Sequence, residues 1–151
     1  MEKYKFLEHT ADLKVQAFGK TLEEVFINSA LAMKQVIAED IKVKAQKIKF
    51  ISVEGKDLSE LLYNFLEEFL FMLDADNQLL AEIEDLRIVE ANEENKKNIF
   101  VLNAEVLVDK ASNYKFTNDV KAITYNEMYV KEEKTRGKKL KSYRAQFVLD
   151  V

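Results

Sequence analysis

The apolar residues of this 151-residue chain change their spacing part-way along. That change limits the fold more than any other feature of the sequence. From Leu58 to Leu73 they recur three and four apart, at Leu58, Leu61, Leu62, Phe65, Leu66, Phe69, Leu70 and Leu73. This is the single stripe of an amphipathic helix. Beyond it they fall two apart, as in a strand with one face buried in a sheet.

The second helical pattern lies earlier and has a readable start. Thr21 with Glu24 three residues on forms a capping box. The face behind it runs Leu22, Val25, Phe26, Ala30, Met33, Val36 and Ile37. Asp57 and Glu60 open the Leu58 helix in the same way. Alternation predicts strands at about 3–8, 13–18, 47–54, 83–91, 99–108, 120–131 and 142–150. Gly19 closes the second of these, and Gly55 makes the turn after the third. Short polar connections such as "EENKKN" favour antiparallel pairing. The expectation is an α+β fold: one two-layer domain over 1–151, its two main helices packed on one face of a largely antiparallel sheet. The sequence shows no linker, low-complexity tract or repeat at solenoid spacing.

Composition excludes several functions. There is no cysteine, hence no disulfide, thiolate metal site or cysteine nucleophile, and this suits a reducing cytosol. No window approaches a membrane span, and the charged N-terminus has no signal-peptide core. The expected location is cytoplasmic. Three glycines and no proline leave no phosphate-cradling loop. With a formal net charge of -4, the chain is a poor general binder of phosphate backbones. A cation or a cationic protein surface is the more natural partner.

The only histidine, His9, opens the run "HTAD", which ends in Asp12. These residues read as a loop satisfying its own backbone, or as part of a metal or acid–base site. One histidine is too few for most zinc sites. Asp12 could still serve a hard cation, which needs only oxygens. At the other end, "AQFVLDV" reads as a strand with Phe147 and Leu149 on the core face. Asp150 and the carboxylate on Val151 follow within one residue of each other. They read as a solvated terminus, or with Asp12 as a small oxygen chelate, since three carboxylates repel unless a divalent ion neutralises them. "LDADNQLL" imitates the start of a calcium loop but has Leu79 where the turn glycine belongs, so it reads as an acidic turn. The lysine-rich stretches 42–49 and 131–144 read as solvated surface rather than an RNA patch, because acidic residues are interspersed and no aromatic platform lies within the loop.

Four segments in order, "EHTADLKVQAFGKTLEEVFINSALAM", "LLYNFLEEFLFMLDADNQLL", "VKAITYNEMYV" and "AQFVLDV", resemble the archease family over nearly the full length. The resemblance implies an accessory protein, not an enzyme in its own right. Such a protein assists the RtcB-type RNA ligase that joins tRNA exons, promoting its guanylylation and repeated turnover and broadening its nucleotide use. It implies a divalent cation, calcium as seen in the family with magnesium or manganese as alternatives, on Asp12, Asp150 and Val151. His9, Lys121 and Tyr125 are implied as supporting or partner-contact positions. No stable direct nucleic-acid binding and no membrane are expected. The family often has histidine where this chain has Asn126, and tryptophan at Phe65 and Tyr143. A competing reading is a metal-dependent phosphate-ester hydrolase using His9, Asp12 and Asp150.

Overall fold

The computed structural model describes residues 1–9, 12–92, 98–118, 120–134 and 140–151, with backbone alone for Glu8 and His9. Described in chain order are β1 (Tyr4–His9), β2 (Asp12–Gly19), α1 (Leu22–Ala38), β3 (Lys47–Gly55), α2 (Leu58–Asp76), β4 (Gln78–Ala91), β5 (Ile99–Lys110), a short 3-10 turn (Ala111–Asn113), β6 (Ala122–Lys134) and β7 (Lys141–Asp150). The α+β class and the antiparallel pairing are as expected. The strands, however, divide between two sheets rather than forming one, ordered β1-β2-β7-β6 and β3-β5-β4. The chain correspondingly forms two compact units, residues 1–37 with 118–151, and residues 38–117.

In the first unit β2 and β7 are the central strands. Leu13 faces Leu149, Val15 faces Phe147 and Ala17 faces Ala145. All but the half-buried Leu13 are fully buried. Gln16 and Gln146, on the opposite face, are buried as well. At the end of β2 the chain turns directly into α1. Thr21 Oγ1 accepts from the Glu24 N–H at 3.1 Å, the expected cap. Asn28 donates its side-chain amide to the Phe18 carbonyl at 2.7 Å. A Cβ on Gly19 would lie 2.6 Å from the Val25 nitrogen, so only glycine allows helix and strand end to meet. The buried arc of α1 also takes in Asn28, Ser29 and Ala32, beyond the single stripe expected.

The second unit repeats these joints. "GKTLEE" after β2 corresponds to "GKDLSE" after β3. Asp57 caps α2 by accepting from the Glu60 N–H at 2.8 Å. Asn64 donates to the Glu54 carbonyl at 2.7 Å. A Cβ on Gly55 would lie 2.5 Å from the Leu61 nitrogen. The apolar face of α2 packs on the three-stranded sheet. Phe65 meets Phe69 edge-on, with centroids 5.0 Å apart. Phe65 is fully buried. Below lie rows such as Ile51, Ala104 and Leu86, aligned across β3, β5 and β4.

Strand β4 begins five residues earlier than alternation predicted. Asn77, in the left-handed region with φ 54°, ends α2 and leads straight into Gln78. Register shifts between Leu80 and Glu82 and between Ile83 and Asp85 break the period of two, and Leu79 and Leu80 are both buried. The acidic turn read from "LDADNQLL" is therefore a helix end joined directly to a strand. The stretch 131–144 is largely a paired hairpin, with Lys131 facing Arg144 and Lys134 facing Lys141. Gly137 and most of "EENKKN" lie outside the described residues. Among the described residues no helix is long and apolar enough to cross a membrane.

Candidate functional site

Alternation along β2 puts Asp12, Lys14 and Gln16 on one face. Alternation along β7 does the same for Asp150, Val148 and Gln146. The register sets these residues opposite one another, Asp12 against Asp150, Lys14 against Val148 and Gln16 against Gln146. His9 faces Asp12 from β1, and Ala122 faces Asp150 from β6. One row thus crosses four strands in the order His9, Asp12, Asp150, Ala122. The side chain of His9 lies outside the described residues.

Residues directly opposite in an antiparallel pair have Cβ atoms about 4.5–5.5 Å apart and project from the same face. Two half-buried carboxylates are held there at the end of the sheet. Like charges so placed destabilise a sheet. A hard divalent cation would relieve this, and carboxylate oxygens are its preferred donors. The donor chemistry therefore suits calcium or magnesium. Among the described residues no group of three or more His, Cys, Asp and Glu side chains is arranged to hold a metal. Val151 follows Asp150 directly and is exposed. Lys121 is tied to the same spot by its backbone, its N–H donating to the Asp150 carbonyl at 2.7 Å.

Beyond this row β6 leaves the sheet. Pairing with β7 runs from Ala122 to Thr124 and resumes at Tyr129. The intervening residues Tyr125 to Met128 bulge out, with Tyr125 about half exposed, Asn126 exposed and Glu127 at φ 60°. Side chains of the central strands hold the bulge. Gln146 donates to the Glu127 carbonyl at 2.8 Å, and Lys14 pairs with the Glu127 carboxylate at 3.2 Å. Gln16 donates to Gln146 at 2.9 Å and to the Tyr129 hydroxyl at 3.4 Å. Sequence reading overlooked this network. Its only trace was a glutamine in the middle of each central strand, in "VQAF" and "AQFV".

A second polar cluster, also unforeseen, belongs to the unit 38–117. The Tyr114 hydroxyl donates to Asp109 at 2.6 Å and accepts from the Lys44 N–H at 2.8 Å. Asp109 further accepts from the Lys110 N–H at 2.8 Å and from Asn113 at 3.5 Å. The Tyr114 hydrogen bond is the main cause holding the Asp109 carboxyl below its usual range, and the same bond pushes the Tyr114 phenol up. A groove of about 550 Å³ opens beside them, lined also by Gln46. Since the Asp109 oxygens are taken up internally, the cluster anchors the segment before β3 to the end of β5.

The archease protein family model (MTH1598/TM1083) matches residues 4–151. The protein archease of Methanosarcina barkeri is 34% identical over 152 residues, covering 99% of this chain and 97% of its own. That of Thermococcus kodakarensis is 35% identical over 153 residues and covers both chains completely. The solution structure of Methanobacterium thermoautotrophicum protein 1598 superposes over the whole of both chains with a TM-score of 0.72 at 26% identity. With the family's pattern matched from Tyr4 to Val151, and its fold reproduced end to end, the chain belongs to the archease family.

Proposed function

We propose that this protein promotes guanylylation of an RtcB-type RNA ligase, sustains its turnover and broadens its nucleotide use. In this reading Asp12, Asp150 and the Val151 carboxylate hold a divalent cation, calcium first among those that suit oxygen donors. Family membership supports the general statement, an accessory protein of the tRNA-splicing system that works with a protein partner. The observation that carries the finer reading is the register that sets Asp12 against Asp150.

When bound, the ion would supply positive charge beside phosphate oxygens on which charge develops. The remaining work falls to the chain's own groups. Asp12 and Asp150 bind through rigid central strands, so little ordering is needed. Lys14 and Gln146 fix the bulge that carries the exposed Tyr125 and Asn126, a surface for contact with the ligase. Asn126 contributes hydrogen bonds there without titrating. An acidic strand end also steers a transient encounter with a cationic active site.

The test is a guanylylation time course of a cognate ligase with GTP and divalent metal. It compares no addition, the native protein, Asp12→Asn, Asp150→Asn, and a form extended beyond Val151. Stimulation by the native protein alone supports the whole reading. Stimulation by the extended form removes Val151 from it. Stimulation by both aspartate variants removes the metal pair, and no stimulation by any form overturns the activator role.

A further inference from the structure

The two edges of the β3-β5-β4 sheet are built differently. Strand β4 is irregular at two places and carries Glu82, Glu84 and Asp85 around them. Bulges and charges of this kind protect an edge from pairing. Strand β3 lacks the irregularity, and the charges at its start, Lys47 and Lys49, turn away strands that bring no carboxylates. It runs in unbroken register with β5 from Lys47 against Val108 to Gly55 against Phe100, and among the described residues no strand pairs with its outer side.

Two features of β3 point to an occupant. The first is apolar. Phe50 is 80% exposed and Ile48 50%, both on the outer face of the sheet, with the half-buried Leu107 directly across from Ile48. Apolar side chains scattered singly need no explanation, but these adjoin one another along an open edge. The second is charge. Lys42, Lys44, Lys47 and Lys49 lie on β3 or just before it, and residues 42–49 contain no acid, in a chain whose net charge is -4.

We infer that the β3 edge is a docking site for an extended, acidic segment of a partner protein. The segment adds a strand beside β3, placing apolar side chains against Ile48 and Phe50 and carboxylates against the lysines. Backbone pairing along an open edge supplies affinity in such complexes, and alternate side chains supply selectivity. Nucleic acid fits less well, because Phe50 lies across from Glu105 and Glu105 from Asp85, two carboxylates on the face a base would stack on. A second copy pairing β3 with β3 antiparallel along its full length would set Lys47 against Gly55 and Lys49 against Val53, leaving the lysines without carboxylates opposite them. Pairing β3 with β4 would meet the broken ladder. The inference uses none of the residues of the Asp12–Asp150 row, so it stands or falls separately from the ligase reading.

The probe is a capped eight-residue peptide alternating valine and glutamate, titrated into the whole isotope-labelled protein. Its valine–lysine counterpart and an oligouridylate serve as comparisons. Expected are amide shifts and slowed hydrogen exchange centred on residues 47–54 with the glutamate peptide alone. Affinity should fall about tenfold in a Lys47→Glu, Lys49→Glu double variant and fall further with added salt in the native protein. Phe50→Ser should weaken binding while leaving its salt dependence unchanged. Both variants alter exposed or half-exposed side chains, and unchanged resonances from α2 and β5 establish that they fold. The inference is overturned by shifts that avoid β3, by equal binding of the lysine peptide, by oligouridylate occupying the same residues, or by self-association through β3 without peptide.

Discussion

Asn28 and Asn64 make the same hydrogen bond in two separate units, each donating its side-chain amide at 2.7 Å to the carbonyl of the residue before a glycine. Each fastens the first turns of a helix to the strand that precedes it. Their burial differs, since Asn28 is only 4% exposed while Asn64 is half-buried. Removing the buried Asn28 amide takes its donor from the Phe18 carbonyl in a part-buried setting. Asn28→Ala should therefore cost about 1–3 kcal/mol, and Asn64→Ala about 0.5–1.5 kcal/mol. Urea unfolding of the two variants checks the order, and a larger loss at Asn64 would contradict it.

The glycines beside these bonds make a stronger demand. In Gly19→Ala and Gly55→Ala the new methyl group meets backbone nitrogen at 2.6 and 2.5 Å, and backbone yields less readily than a flexible side chain. Each variant should lose about 1–3 kcal/mol through displacement of its helix. Circular dichroism melts would record this as a fall of about 2–4 °C per kcal/mol.

The acidic row should respond to charge and to cation in opposite directions. Without divalent ions, Asp12→Asn or Asp150→Asn removes repulsion between facing carboxylates and should stabilise the protein by about 0.2–1 kcal/mol. With calcium at ten times its Kd, the native protein should gain about 1.4 kcal/mol and the variants nothing. Thermal melts with chelator and with calcium read both effects. Equal calcium gains in native and variant proteins would place the ion elsewhere.

Stability should also depend on pH through Asp109 and Tyr114. The folded state holds the Asp109 carboxyl below its ordinary value of 3.8, chiefly through the Tyr114 hydroxyl. Its contribution is complete above that value and is lost as pH falls through the lower, folded one. Tyr114 is raised above 10.0 by the same bond, so its contribution is complete below 10.0 and is lost as pH rises through the folded value. Tyr114→Phe should make both the acid and the alkaline limbs of the stability profile shallower. Unchanged limbs would assign the pH dependence to other groups.

Much of this architecture was legible because it rests on local chemistry. The caps at Thr21 and Asp57, the stripe on α2 and the core face of β7 each declare themselves within a few residues. The split into two sheets did not, since alternation reports a buried face but not which strand lies beside it. The repeated joint escaped because its identities are confined to a short segment around Gly19 and Gly55, too brief to show as a period. The Gln16–Gln146–Glu127 network joins positions far apart in the chain, and no local signal marks a bulge that is held from across the sheet. The aspartates could be singled out by type, but their meeting depended on a register that only the paired strands reveal.

That register also sets an order of assembly during synthesis. Residues 38–117 hold all three strands and the helix of their own unit, so this unit can fold while the chain is still being made. The other unit begins earlier on the ribosome but cannot finish first. Its central strand β7 is the last of the described strands to be translated. Until β7 arrives β2 has a partner on one side only, and Asp12 has no aspartate to face. The older half of the molecule therefore waits for the youngest strand, and the acidic row forms late, after the inserted unit has had time to fold.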